Sequence, residues 1–407
     1  MPFSLKARLC LMMFLNLVIW GSWYVTLNTY LTVTLKFTGT EAGAVFGTTA
    51  LASMITPFFM GLIADRFLAT EKLLAILHLV GAVVLYAVTR VTDFTSVYAL
   101  MLLYCLCYFP TIGLTNSLTF RQLTDAGGEF PFIRMFGTIG WIAVGNIVGS
   151  MGVEATATPL LIAAGVSLVM SAFCLTLPHT PPEGKGQKIT IGALLGFDAL
   201  VMLKNRSYFV FVIASVLACI PLTFYYSFTN VYLNEVGVVN AAGKMTLGQV
   251  AEVGVMLLMP VIFRRITVRG VLVLGLACWS LRYGLLAYGN PGAGMWMFYL
   301  AIMLHGFCYD FFFVTGQLYT DQEAPAHLRG TAQGFLTFLT YGVGMFIGSL
   351  LSGVALDFFT TTKPGGAIAH NWFSFWLACA GGAAAILVMI AVFFQSRAKI
   401  GPKPEAA

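Results

Sequence analysis

The chain has 407 residues, of which 59% are hydrophobic and only 9% are charged. Soluble domains carry roughly 25% charged residues, so this composition excludes a soluble domain and predicts a protein that crosses a membrane several times. The formal net charge of +6 at pH 7 comes from basic residues scattered at the ends of apolar segments, a pattern that does not indicate a nucleic-acid partner.

Twelve apolar segments of spanning length follow one another along the chain. We therefore predict an all-α membrane protein with twelve transmembrane helices. The predicted helices lie at about residues 9–35, 41–64, 73–91, 96–120, 134–153, 157–177, 208–234, 245–264, 270–289, 295–320, 330–356 and 371–394.

The longest polar stretch, Pro178–Lys188, separates the sixth segment from the seventh. It predicts an N-terminal six-helix half of residues 1–177, a cytoplasmic linker of residues 178–207, and a C-terminal six-helix half of residues 208–407 with a short cytoplasmic tail. Of the 22 Lys and Arg residues, 17 fall on one side of the predicted membrane, four on the other, and Arg282 within a helix. Cytoplasmic loops carry the excess of basic residues, so both termini are expected in the cytoplasm.

The second and eighth segments end alike, which indicates an internal repeat. Pro57 precedes Asp65 and Arg66 in the first case, and Pro260 precedes a pair of arginines in the second. Two sets of six helices with such an internal repeat are typical of carriers whose two halves move about a site near the middle of the membrane.

The eighth segment contains a carboxyl group near its middle. Gln249 and Glu252 are three residues apart, so they share one face of the helix. An ionisable side chain at this depth is costly and seldom faces lipid, which predicts a functional site.

The tenth segment places an acid among aromatic residues, in the run from Tyr309 through Asp310 to Gln317. Rings beside hydrogen-bonding groups suit a flat polar ligand such as a nucleobase. Ordinary packing of the rings against neighbouring helices is the alternative interpretation, because the chain has 34 Phe residues.

Burial disfavours the charged form of a carboxyl group. Glu252 or Asp310 could therefore hold a proton within the membrane and release it when water gains access, as a proton-coupled carrier requires. The sequence leaves open which of the two does so. The alternative is that Arg134, Arg282 and the two acids form structural ion pairs between helices, since intramembrane charges commonly pair.

Two further helices carry polar and aromatic residues within a span. In the fifth segment Arg134, Thr138 and Trp141 recur at spacings of four and three, which places them on one stripe. Arg134 could also serve only as a cytoplasmic anchor. The seventh segment holds a polar and aromatic run that includes Thr223 and Tyr226, which could supply further contacts to a ligand.

Signatures of soluble enzymes are missing from the sequence: it has no zinc-protease helix, phosphate-binding loop or dinucleotide fingerprint. All eight Cys residues fall in apolar segments, where they are expected as small membrane residues and not as disulfides or metal ligands. We expect no enzyme activity, no cofactor and no metal site.

The chain resembles a known family at several motifs. The stretch from Gly61 to Arg66 is similar to the loop motif of the major facilitator superfamily, although the residues that follow lack its usual Gly and basic run. More specific matches point to the bacterial nucleoside:proton symporters, in particular their nucleoside transporter branch. These matches are Trp20-Gly-Ser-Trp23, Pro131-x-Ile-Arg134-x-x-Gly-Thr138-Ile-Gly140, Gln249-x-x-Glu252, Leu281-Arg282, Asp310-Phe-Phe and Ala332-Gln333-Gly334.

This resemblance, which covers the whole chain, implies a carrier with a central cavity between its halves that takes up nucleosides with protons across a bacterial inner membrane. It implies Glu252 and Asp310 as the proton-coupling groups, and structural or gating roles for Asp65, Arg66 and Arg282. The residues that it implies for the substrate pathway are Arg134, Thr138, Trp141, Thr223, Tyr226, Gln249 and Tyr309.

The seventh helix departs from the family pattern, because Thr223 and Tyr226 stand where related permeases place Gln and Asn. Another nucleoside, or another small polar solute such as a sugar or polyol, is therefore the alternative cargo. A membrane enzyme or receptor would need a larger soluble part than the linker between the halves. The expected partners are a nucleoside, protons and the lipid bilayer, and the protein is expected to be a monomer.

Overall fold

The structure is a computed structural model that describes residues 3–66, 68–182, 197–362, 368–396 and 400, with only the backbone of residues 57–66, 126–128 and 197. Twelve long helices follow one another along this part of the chain. They are α1 (Phe3–Thr34), α2 (Gly39–Arg66), α3 (Thr70–Val88), α4 (Phe94–Gln122), α5 (Ala126–Met151), α6 (Thr158–Cys174), α7 (Arg206–Glu235), α8 (Ala241–Arg265), α9 (Val268–Tyr288), α10 (Met295–Glu323), α11 (Ala326–Phe358) and α12 (Trp372–Phe393).

The helical prediction is confirmed. Within the described residues, ten helices count as candidate membrane spans because they are long and apolar enough to cross a bilayer. Helix α6, with 17 residues, and helix α2, with 28, are not among these ten. Large apolar side chains on several helices stay exposed, for example Val83 at 62% and Leu257 at 76%. Such exposure is costly in water and natural in lipid.

The helix ends differ from the prediction at several places, and a strand pair appears between two helices. Helix α1 begins at Phe3, six residues before the predicted start, because Lys6 and Arg8 are good helix formers whose long side chains can leave the apolar region. Between α11 and α12 a short hairpin pairs β1 (Thr360–Thr362) with β2 (Ile368–His370) in antiparallel register. The apolar pattern gave no signal for this hairpin.

Three of the long helices contain π-helical stretches. They are Tyr30–Thr34 in α1, Asp310–Val314 in α10 and Phe338–Gly344 in α11. A turn at residues 24–26 also interrupts α1. Single π-helical turns inside α-helices are found frequently at functional sites, so α1, α10 and α11 are candidate helices for such a site.

Contacts divide the chain into two compact units. The first comprises the described residues of Met1–Ile189, Tyr226–Thr246 and Ser349–Val354. Inside it, buried polar groups join α1 to α4: the Asn16 side chain accepts a hydrogen bond from Thr111 at 3.1 Å, and the Tyr108 hydroxyl donates to the Asn16 carbonyl oxygen at 2.6 Å. Such satisfied polar contacts fix the register of the two helices.

The second unit comprises the described residues of Thr190–Tyr225, Leu247–Gly348 and Ala355–Ala407. Small residues bring its helices into close contact, as expected in a membrane interior. A Cβ atom added at Gly344 on α11 would lie 2.9 Å from the Cβ of Cys219 and 2.9 Å from the Val216 carbonyl oxygen on α7. The two backbones can approach this closely only because the residue on α11 has no side chain.

The predicted linker falls only partly within the described residues, since residues 183–196 lie outside them. Its beginning is attached to the first unit. Buried Glu71 accepts a hydrogen bond from the backbone N–H of Thr180 at 2.9 Å and contacts His179 at 2.7 Å. The Arg121 side chain donates to the Pro181 carbonyl oxygen at 2.8 Å.

Gly344→Ala is expected to lower the free energy of unfolding by about 1–3 kcal/mol, because the new methyl group overlaps backbone and side-chain atoms of α7. The matched control is Gly284→Ala on α9, whose added Cβ meets no atom within 4 Å. Thermal unfolding of the purified variants measures both effects. An unchanged melting temperature for Gly344→Ala would contradict the close contact between α7 and α11.

Candidate functional site

Helices α8 and α10 touch through their backbones at the point where both carry an acid. A Cβ atom added at Gly306 would lie 2.5 Å from the Glu252 nitrogen and 2.7 Å from its Cα. Gly306 precedes Asp310 by four residues, so the two share one face of α10. Glu252 is near enough to act on Asp310 electrostatically. The structure therefore brings the two predicted acids together.

The carboxyl group of Asp310 is the most exceptional polar group of this unit. The residue is fully buried, and neither carboxyl oxygen has a hydrogen-bond partner within the described residues. It is also the first residue of the π-helical stretch in α10. An ionised carboxylate without donors is costly to bury, whereas the neutral acid costs far less. This position suits a group that carries a proton.

Gln249 and Tyr309 lie near this pair of acids along their helices. Gln249 precedes Glu252 by three residues, and its buried side-chain oxygen has no hydrogen-bond partner in the described part of the chain. The Tyr309 hydroxyl is hydrogen-bonded to the hydroxyl of Tyr341 on α11. The ring of Tyr309 lies 5.3 Å from that of Phe313, centroid to centroid. This face of the second unit thus combines acids, an amide and aromatic rings.

Arg282 on α9 is fully buried and is held by a histidine and a tyrosine. Its Nη1 lies 3.1 Å from Nδ1 of His305, and its guanidinium carbon lies 3.4 Å from the centroid of the Tyr225 ring. Arginine can only donate, so Nδ1 of His305 must be the acceptor and carries no proton in this contact. His305 was not among the predicted site residues. Its contact with Arg282 depends on how α9 and α10 cross, which their separate sequences do not indicate.

Arg282→Lys is expected to destabilise the protein by about 2 kcal/mol, because an ammonium group cannot reproduce the flat contact with Tyr225 together with the bond to His305. Arg269→Lys is the matched control, since Arg269 is only partly buried and donates to the carbonyl oxygen of Ala391. Thermal unfolding of the two purified variants compares them. Equal melting temperatures would show that Arg282 acts only as a point charge.

In the first unit, Trp141 and Tyr226 belong to one aromatic surface. Trp20 packs edge-on against Trp141 at a centroid distance of 5.3 Å. Tyr24 contacts Trp141 at 5.9 Å and Tyr226 at 5.5 Å. The buried Nε1 of Trp20 has no hydrogen-bond acceptor among the described residues. Trp141 and Tyr226 were predicted to contact the substrate, and the rings of Trp20 and Tyr24 pack against them.

The stripe predicted on α5 is oriented by its glycines. A Cβ atom added at Gly140 would lie 2.5 Å from the Phe14 carbonyl oxygen, so this face of α5 packs on α1. Arg134 is exposed, and Thr138 and Trp141 are partly buried. Arg134 forms no hydrogen bond or ion pair with the described residues.

Thr223 is buried in packing between helices of the second unit. Its hydroxyl donates to the Cys219 carbonyl oxygen at 2.7 Å and lies 3.2 Å from the Met345 sulfur. The ligand contact assigned to Thr223 stays a prediction. Asp65 and Arg66 end α2, and their side chains lie outside the described part of the structure, so their gating role also stays a prediction.

Glu154 is a buried acid that the sequence analysis missed. It lies in the short connection between α5 and α6, is 3% exposed and accepts hydrogen bonds from Asn230 and Asn234. An acid in a connecting loop resembles an ordinary exposed residue. The only signal was the pair of Asn residues four apart on the apolar helix α7.

The chain is similar to known transporters over nearly its whole length. The family model described as "Nucleoside H+ symporter" matches residues 3–399. The chain is 40% identical to "Putative nucleoside transporter YegT" of Escherichia coli (strain K12), over 96% of this chain and 93% of that protein. It is 34% identical to the xanthosine permease of the same organism, over 99% and 98%. The crystal structure of the nucleoside transporter NupG matches with a TM-score of 0.89 at 30% identity, over 97% of this chain and 100% of that one.

Proposed function

The chain belongs to the nucleoside H+ symporter family, and from that premise we propose that it couples nucleoside uptake to protons through Asp310 and Glu252. It is a transporter and not an enzyme, with the architecture of the major facilitator superfamily. The alternative cargo, a sugar or polyol, is not favoured by these matches. It is a multi-pass protein of the inner membrane, and we propose that both termini are cytoplasmic and that the protein is a monomer.

The proton-coupling proposal rests on one observation: the Asp310 carboxyl group is buried and has no hydrogen-bond partner among the described residues. While it is buried without hydrogen-bond donors, the neutral acid is the favoured form. When the site opens to water, solvent can stabilise the charge and the proton leaves. The nearby carboxyl group of Glu252 opposes a second negative charge beside Asp310. The two acids are therefore expected to share protons as a coupled pair.

A nucleoside has a flat base and a hydroxyl-bearing sugar. We propose that the aromatic surface of Trp20, Tyr24, Trp141 and Tyr226 stacks on the base. The buried side-chain oxygen of Gln249 has no hydrogen-bond partner among the described residues, and we propose that it accepts a hydrogen bond from the ligand. Arg134 and Thr138 share the α5 face with Trp141 and are proposed to contact the same ligand.

The departure on α7 bears on which nucleoside is carried. The Thr223 hydroxyl already donates within its own helix, while Tyr226 presents a ring to the aromatic surface. We propose that the α7 position contributes stacking where related permeases place amide groups. Because stacking replaces hydrogen bonding at this position, we expect the carrier to prefer nucleosides with larger bases.

Asp310→Asn is expected to abolish protonophore-sensitive accumulation of labelled uridine and adenosine in cells that lack their own nucleoside carriers. The amide keeps the size of the side chain and cannot carry a proton. The matched control is Asp93→Asn, because Asp93 caps α4 outside the membrane and Asn caps helices equally well. Accumulation by Asp310→Asn at the level of the control would contradict the proton role of Asp310.

Trp141→Ala is expected to raise the KM for uptake by about tenfold, because one stacked ring contributes about 1 kcal/mol or more to binding. Trp141→Phe keeps an aromatic face and should stay within about threefold of the parent KM. The concentration dependence of initial uptake rates measures both. Equal KM values for the Ala and Phe variants would remove Trp141 from the binding surface.

A further inference from the structure

Glu154 forms a hydrogen-bonded cluster within the first compact unit. One oxygen of its carboxylate, Oε2, accepts from the side-chain nitrogen of Asn230 at 2.6 Å and from that of Asn234 at 2.8 Å. The other, Oε1, accepts from the backbone N–H of Ala242 at 3.0 Å. One buried carboxylate therefore connects the α5–α6 loop to α7 and to the first turn of α8.

The cluster also includes the end of α1. The Thr29 hydroxyl donates to the side-chain oxygen of Asn230 at 2.6 Å. The side chain of Asn234 donates as well to the Asn230 carbonyl oxygen at 2.9 Å. Ala242 lies in the first turn of α8, where backbone N–H groups have no partner in the helix and favour a negative charge. Both oxygens of the Glu154 carboxylate and both polar atoms of the Asn230 side chain are thus engaged in hydrogen bonds.

The same region is closed by direct packing of α5 on the start of α8. A Cβ atom added at Gly149 would lie 2.0 Å from the side-chain oxygen of Asn240, and one at Gly145 would lie 2.5 Å from Cγ2 of Thr246. The side chain of Asn146 donates to the Thr246 hydroxyl at 3.1 Å. This contact leaves no room for a side chain at the two glycines.

We propose that Glu154 is the latch that holds the outer side of the carrier closed, and that it must release Asn230, Asn234 and Ala242 for a nucleoside to enter. The inference rests on the proposed function, because alternating access requires the outer side to open once per cycle. With the termini in the cytoplasm, the ends of α1, α5 and α7 and the start of α8 all lie on the outer side. Glu154 acts on transport by positioning these segments and does not touch the substrate.

The partners of Glu154 explain why this contact can open and close. Glu154 and Thr29 belong to the first six helices, whereas Asn230, Asn234 and Ala242 belong to the last six. Movement of the end of α7 and the start of α8 away from α1 and the α5–α6 loop would therefore break these hydrogen bonds together. The donors are two amides and a backbone N–H, all uncharged, so water can replace them when the carboxylate becomes exposed. Polar contacts inside one half, such as those of Asn16, have no reason to break in the cycle.

Labelling from outside tests the latch without any substrate. Ser227 is fully buried on α7, one turn before Asn230, so Ser227→Cys reports when this region opens. Adding Glu154→Ala is expected to speed its reaction with a membrane-impermeant thiol reagent by about tenfold or more, since hydrogen bonds to a charged group are lost. Glu154→Gln should give a smaller increase, because its amide keeps one acceptor oxygen.

Two controls accompany the labelling. Asp93→Ala in the Ser227→Cys background removes an acid from the same outer side whose carboxylate accepts a hydrogen bond from Ser96 in the first turn of its own helix. The parent chain, with its eight native cysteines, gives the background rate. Labelling of the Glu154→Ala variant at the rate of the Asp93→Ala control would overturn the proposal.

A cross-link tests the latch in a chain that keeps Glu154. Oxidation of the double variant Thr29→Cys/Asn230→Cys is expected to stop uridine uptake, and reduction to restore it, with each single variant as a control. A bridged protein that transports at the unbridged rate would overturn the latch. A parent that takes up no nucleoside would contradict the proposed cargo instead, and the labelling rates would still decide on the latch.

Discussion

The carboxyl group of Asp310 is the constraint around which the second unit is built. A polar group buried away from water must find a partner or lose its charge, and the described residues offer Asp310 no hydrogen-bond donor. Gly306 lets α8 approach α10 closely, which brings Glu252 beside the buried acid. The π-helical stretch begins at Asp310 itself. Packing, backbone irregularity and electrostatics thus converge on one buried acid, the group to which we assign the transported proton.

Asp310 and Glu154 show two ways in which a membrane protein uses a buried acid. Among the described residues Asp310 has no hydrogen-bond donors, so protonation is the way to lower the cost of its burial. Glu154 has three uncharged donors, so its burial depends on the segments that supply them. We propose that the first arrangement responds to a proton and the second to the movement of α7 and α8. A carrier that couples a proton gradient to alternating access needs both kinds of response.

Much of the fold could be predicted from the sequence, because the bilayer fixes the length of a span and the placement of charge. Glu252 and Asp310 could be found for the same reason, since charge within a span is costly. The contact of Arg282 with His305 and the partners of Glu154 could not, because they depend on how separate helices cross. Thr223 looks like a ligand contact in the sequence, yet its hydroxyl is engaged within α7.

Proton movement driven by a nucleoside gradient tests the role of Asp310 most directly. Purified protein in liposomes that contain a pH-sensitive dye would receive external uridine in the absence of any imposed proton gradient. The parent is expected to acidify the lumen, whereas Asp310→Asn should leave the pH unchanged while still exchanging labelled uridine across the membrane. Acidification by Asp310→Asn at the parent ratio of protons to uridine would contradict the assignment of the transported proton to Asp310.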